Sequence, residues 1–149
     1  MAYITEVYLS EILKKDVVDQ FGRKLGALWD LSIVPGTELP SITRLILRKG
    51  RQLLEVPVQY LQLFNRFVIT VDLSEANPMV YKFKEGDILV KKHILDKQIV
   101  DVNGAKVVRV NDLKLGESDG NVCVVGIDVG PNGILRRIDG GGLIQKALG

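Results

Sequence analysis

The sequence states one pattern twice. Residues 13–31, LKKDVVDQFGRKLGALWDL, return as residues 95–113, LDKQIVDVNGAKVVRVNDL, at a constant offset of 82. Eight of the nineteen aligned positions are identical, among them Asp19/Asp101, Gly22/Gly104 and Asp30/Asp112. Val17/Ile99, Leu25/Val107 and Leu28/Val110 keep their apolar character. The register runs on without a gap, so that Ile42, Leu45 and Leu47 fall on Val124, Ile127 and Val129. Self-similarity at a fixed spacing points to repeated supersecondary units, each too small to bury much surface alone. The expectation is an internal duplication, with one module in residues 1–78 and a second in residues 79–149.

Within each module the signals are those of strands. Val17-Val18-Asp19, a turn on FGRK and the run KLGALWDLSIV predict a hairpin closed at Gly22, since glycine accepts the positive φ of a tight turn. Asn103-Gly104 predicts the same turn in the second copy. ITRLILRKGRQLLEV predicts two more strands about Lys49-Gly50, and Val56-Pro57-Val58 interrupts the ladder because proline supplies no N–H. VQYLQLF predicts a short helical piece, RFVITV a strand, and LSEANPMVYKFKEGDI a linker. Short, non-local strands in units of about 70 residues suit small closed or half-closed β barrels, packed as a pseudo-twofold pair. The fold class expected is therefore mainly β: two tandem small barrels with short helical segments. The copies end differently, the second running IDVGPNGILRRIDGGGLIQKALG. It is expected to be cut short at its C-terminal end, with glycines 140–142 leading onward; otherwise LIQKALG or a partner's strand closes it.

Charge and cysteine use narrow the function. Twenty Lys plus Arg against eighteen Asp plus Glu leave +2, well short of the basic excess that phosphate binding calls for. The one cysteine, Cys123 in VCVVGIDV, can form no intramolecular disulfide and lies in a strand pattern that would bury it, which fits a reducing, cytoplasmic setting. Apolar runs such as FVITV fall far short of the ~20 residues needed to cross a bilayer. The start MAYITEVYLSEIL has no basic front followed by an apolar stretch.

No residue set demands a reaction. His93, the only histidine, stands beside Lys91 and Lys92, which oppose a cation, and one buried cysteine completes neither a zinc set nor a nucleophile–base pair. No metal, cofactor or catalytic residue is expected. Asp19 and Asp101 precede their turn glycines and read as Asx brackets of hairpins rather than acid–base groups. Asp30 and Asp112 have the same structural reading. Alternation would place Arg109 and Asn111 on one face and Val108, Val110 and Asp112 on the other, a buried Asp112 then needing backbone N–H groups or Arg109 as partners. An enzyme would need a pocket joining Asp101, Arg109 and Asp112. The glycines of IDVGPNGILRRIDGGG lack both the Gly-Lys-Ser/Thr of a phosphate loop and the frame of a dinucleotide fingerprint.

Two surfaces could take a partner. Arg44, Arg48, Lys49 and Arg51 in the first copy and Arg136 with Arg137 in the second flank equivalent hairpins, and a twofold arrangement could gather them for an anionic partner. Tyr60, Leu61, Leu63, Phe64 and Phe67, with Tyr3, Val7 and Tyr8, are expected to fill the core or the seam between modules, and any left uncovered would mark a contact.

The run Leu9-Ser10-Glu11-Ile12-Leu13, the hairpin from Val17-Val18-Asp19 through Gly22-Arg23-Lys24-Leu25-Gly26, the Asp30-Leu31 pair and the strand Ile42-Thr43-Arg44-Leu45-Ile46-Leu47 together resemble the PRC-barrel domain of photosynthetic reaction centres. ILDKQIVDVNGAKVVRVNDLKL and VVGIDVGPNGILRRI are similar to a region preceding magnesium-transporter (MgtE-type) intracellular and CBS domains in some bacterial proteins. After Arg137 the aromatic closing strand common in that family has no match. The resemblance implies a non-enzymatic protein-interaction or regulatory module, the cytoplasmic N-terminal part of a longer protein. It implies a protein partner or downstream domains of the same chain, a possible homodimer, and a place at the inner face of a membrane. The alternative is a ribosome-assembly or RNA-processing adaptor, which the charge balance disfavours.

Overall fold

A computed structural model describes residues 2–35, 39–74, 76–101, 106–129 and 134–137, the side chains of 100, 101, 106 and 134–137 excepted. The chain runs through β1 (Tyr3–Ile4), β2 (Val7–Tyr8), helix α1 (Leu9–Ile12), β3 (Asp16–Val18), β4 (Lys24–Val34), β5 (Ser41–Lys49) and β6 (Gln52–Pro57). A 3₁₀ turn (Val58–Tyr60), β7 (Leu61–Phe64), β8 (Ile69–Val71) and β9 (Met79–Val80) follow. Then come β10 (Ile88–Leu89), a π-helical turn (Val90–Ile94), β11 (Gln98–Asp101), β12 (Lys106–Ser118), β13 (Asn121–Val129) and β14 (Ile134–Arg137). The protein is mainly β, and its strands curl into a half-barrel sheet.

The sheet path is β1-β7-β8-β3-β4-β5-β13-β12-β11. Its last six strands read the same from either end under the offset of 82, because β3, β4 and β5 correspond in sequence position to β11, β12 and β13. The join is a single antiparallel pair, Ser41 opposite Cys123, and these residues are themselves 82 apart. Strand β13 is buried along almost its whole length, and β5 from Arg44 to Leu47. The sequence of β13 accordingly reads as a near-continuous apolar run instead of the strict alternation of a half-exposed strand.

Backbone contacts recur at the same offset. The Lys14 N–H donates to the Leu28 carbonyl and the Asp96 N–H to that of Val110; the Leu28 N–H returns to Lys15 and the Val110 N–H to Lys97. Lys14 and Asp96 both take positive φ, 69° and 63°. Ladder irregularities fall between Leu28 and Asp30 and between Val110 and Asp112. These bulges carry Leu28 and Leu31, and likewise Val110 and Leu113, into the core across an even and an odd step. The alternation expected around Asp112 is seen in the burial, with Arg109 and Asn111 exposed and Val108, Val110 and Asp112 turned inward, and it shifts by one residue at Leu113.

The short N-terminal pieces cross over. Strand β2 pairs with β12, whereas β10 pairs with β4, so each short segment lies against a long hairpin strand from the other part of the chain. One apolar cluster collects Leu9, Ile12, Val17, Leu28, Leu31 and Leu45 from one part of the chain with Ile94, Val110, Leu113 and Ile127 from the other. Three local expectations are revised. Only Val58–Tyr60 of VQYLQLF is helical, and Leu61 onward is strand. RFVITV narrows to Ile69–Val71. The linker is packed down, with β9 pairing with β6 and the Tyr81 N–H donating to the Leu53 carbonyl. The Asn103-Gly104 turn, the Gly130-Pro131-Asn132-Gly133 turn and the tail after residue 137 lie outside the described residues.

Candidate functional site: an aromatic cleft beside Asp30

Asp30 sits at the bulge in β4 and is 2% exposed. Its Oδ1 accepts the N–H groups of Leu31 at 2.7 Å and Lys91 at 2.8 Å, and its Oδ2 the N–H of Lys92 at 3.1 Å. The carboxylate thus holds the π turn, whose first N–H groups have no partner within the turn. Burial pushes the Asp30 carboxyl above its ordinary range, and the three N–H groups offset only part of that. Asp112 does the reciprocal task. Its carboxylate accepts the N–H of Leu113 at 2.9 Å, the N–H of Ser10 at 3.1 Å and the Ser10 hydroxyl, and so holds α1. Backbone N–H groups are thus the partners of Asp112, and Arg109 is exposed on β12 opposite Gln98.

The two turns differ by one residue. In α1 the Leu13 N–H reaches back to Leu9, and in the π turn the Leu95 N–H reaches back to Val90, one position further. Leu9 and Val90 are both fully buried, as are Ile12 and Ile94 nearly so, which fixes the ends of each turn and leaves the additional residue to bulge. His93 occupies the role of Glu11. The Tyr8 N–H donates to Glu11, and the Leu89 N–H donates to Nδ1 of His93 at 2.8 Å.

Lys91, in the widened turn, lays its ammonium 3.4 Å from the centre of the Trp29 ring, and the Arg48 guanidinium stands 5.1 Å from the same ring. Trp29 forms one wall of a cavity of about 360 Å³. Tyr81 and Phe83 from the packed-down segment form another, and Ile46, Leu53 and Leu89 its floor. Asp30, Lys91 and Lys92 are its charged groups. Arg44 lies behind Tyr81, 5.5 Å from the ring, and makes ion pairs with Glu55 and Asp87. It also donates to the Lys82 carbonyl at 3.3 Å, fastening the segment that carries Tyr81. Burial works against the charge of Asp87, but the Lys84 N–H and Arg44 outweigh it and hold this carboxyl below its usual value. Burial, with Asp87 nearby, pushes the Tyr81 phenol up, and its Oη is enclosed without a hydrogen-bond partner among the described residues.

Arg44 is 8% exposed and committed to this network, so it does not join Arg48, Lys49 and Arg51, which are exposed at the β5–β6 turn. From the Ser41–Cys123 junction β5 and β13 run in opposite directions. The backbone of Arg136 and Arg137 pairs with Ile127 and Gly126 of β13. Asp19 accepts the N–H groups of Phe21 and Arg23, both at 2.9 Å, and pairs with the Arg23 guanidinium. Burial opposes its charge, yet these donors keep its carboxyl below the usual value. Gly22 closes that turn at φ 79°. Gly104 and the side chains of Asp101, Arg136 and Arg137 lie outside what is described. Cys123 is buried, its thiol pushed up by burial against a weak contact with Ser41.

Among the expected apolar contacts, Val7, Leu61 and Phe64 are core, whereas Tyr3, Leu63 and Phe67 stay exposed. Met79, Val80 and Phe83 are exposed as well, beside the cleft. Among the described residues there is no cluster of His, Cys, Asp and Glu able to hold a metal, and no helix long and apolar enough to cross a membrane. Comparison with protein-family models and with curated proteins found no match for this chain.

Sequence reasoning marked Asp30 but missed the cleft around it. Trp29 and Lys91 are far apart in sequence, and the linker reading of residues 73–88 hid Tyr81 and Phe83. The one available signal was their divergence within the repeat, since Trp29 aligns with Asn111 and Ile46 with Asp128.

Proposed function

We propose that this chain is a duplicated PRC-type β-barrel pair, in units 1–78 and 79–149, that serves as a non-enzymatic protein-interaction and regulatory module. In this reading it is the cytoplasmic N-terminal part of a longer protein related to magnesium-transporter and CBS-domain proteins. The duplication draws support from the matching strand pairs, turns and bulges at an offset of 82. The interaction role rests on one observation. Among the described residues strand β9 pairs with β6 alone, and its Met79 and Val80 are 57% and 53% exposed, with Phe83 next to them at 58%. A free strand edge carrying apolar side chains is a template for strand addition by an extended segment. The remaining domains of the parent protein are the occupant this reading implies.

Hydrogen exchange compares the isolated chain with the full-length parent protein. Slower exchange at Met79–Tyr81 in the full-length protein, by tenfold or more, is the expected result. Equal rates along β9 in the two forms would overturn the reading.

A further inference from the structure

The cleft beside Asp30 joins aromatic walls to a cationic rim. Its aromatic walls come from Trp29, Tyr81 and Phe83, and at the Trp29 position the second repeat has Asn111. Its cationic rim comes from a turn one residue longer than its counterpart, and single π turns of this kind recur at binding sites because they push a side chain out of helical register.

Charge selects the ligand further. One carboxylate and two ammonium groups line the cavity. Asp30 is occupied by three backbone N–H groups, whereas the Lys91 ammonium rests on an indole face and, among the described residues, has no carboxylate within ion-pair distance. An incoming anion meets an ammonium held in place by the ring. The volume, about 360 Å³, falls at the small end of the ~300–1,000 Å³ typical of small-molecule sites.

We infer that this cleft binds a small planar aromatic anion, its ring against Phe83 and the apolar side chains of Leu53 and Leu89, and its charged group at Lys91 and Lys92 beside Trp29. The inference stands apart from the interaction role of β9, since a soluble ligand and a strand partner can each bind without the other.

Trp29 is the only tryptophan, so its indole N–H gives one resonance that reports this site alone. The intact chain is titrated with 2-naphthoate and, separately, with the neutral 2-naphthalenemethanol. Saturable movement of the indole resonance by naphthoate is expected, with the alcohol at least tenfold weaker. Lys91→Gln, which keeps the backbone N–H that Asp30 accepts, weakens naphthoate about tenfold and leaves the alcohol unchanged. Lys92→Gln weakens naphthoate as well and leaves the alcohol unchanged. Equal affinity for the anion and the alcohol, an unmoved indole resonance, or undiminished naphthoate binding by Lys91→Gln would each overturn the assignment.

Discussion

Asp30 and Asp112 are the same residue type at the same point of the repeat, yet they carry different weights. Asp30 is 2% exposed and satisfies two backbone N–H groups of the π turn, whereas Asp112 is half-buried and holds one N–H and a hydroxyl of α1. Removing an acceptor from buried donors costs about 1–3 kcal/mol, more than a cap loss of about 1 kcal/mol near solvent. Asp30→Ala is therefore expected to lower the urea midpoint by roughly twice the shift of Asp112→Ala, with the slope unchanged in both. Asp87 gives a pH prediction. Its carboxyl lies below 3.8 in the folded state, so the unfolded chain takes up protons first as pH falls. The stability it contributes is present above about pH 3.8 and lost as pH drops through the lower folded value. Asp87→Asn is accordingly less stable than the parent at pH 7, and the gap in urea midpoint narrows toward pH 3. Asp30 acts with the opposite sign, because its raised value makes the ionised form a cost that acid relieves. At this scale the sequence made the paired aspartates visible as polar residues in strand patterns. Their partners were not visible, since the donors to Asp30 lie 61 and 62 residues away in a segment with no signal of its own.

Strand identity in β3 to β6 and in β12 and β13 could be read from apolar runs and turn glycines, because both signals are local. The bulges at Leu28/Asp30 and Val110/Asp112 could not, since a bulge depends on what a neighbouring strand and a crossing turn demand of it. Gly26 shows how tight that neighbourhood is. A Cβ there would stand 2.9 Å from the Arg48 carbonyl oxygen, a backbone atom held in the β4–β5 ladder. Gly26→Ala forces the two strands apart and is expected to cost about 1–3 kcal/mol, read as a lower thermal midpoint, with Gly22→Ala milder because only φ is at issue there. The π turn escaped sequence reading for a different reason. At a fixed offset of 82 Ile12 falls on Ile94 and Leu13 on Leu95, so the additional residue ahead of them is absorbed where the two copies no longer align. Of the residues expected in a basic patch, Arg44 is drawn instead into ion pairs with Glu55 and Asp87, partners contributed by β6 and by the segment before β10.

For the molecule as a whole, the exchange of short segments matters more than the repeat that announces it. A duplication in sequence says that two units are alike and nothing of whether each completes itself. Here β2 and α1 depend on β12 and Asp112, while β10 and the π turn depend on β4 and Asp30. Neither half retains its full ladder when the other is removed. A whole chain built this way unfolds in one cooperative transition, because losing either exchanged contact exposes core from both parts. Fragments 1–78 and 79–149 test the dependence. Each alone is expected to lack a cooperative denaturation transition, and mixing them in equal amounts to restore one. Trp29 supplies an independent readout, since its ring belongs to the first fragment and the Lys91 ammonium 3.4 Å away to the second. Its emission in the mixture should match the intact chain and differ from fragment 1–78 alone. If instead fragment 1–78 unfolds cooperatively at the midpoint of the intact chain, the crossed strands add nothing to stability, and the two halves are joined only by the sequence between them.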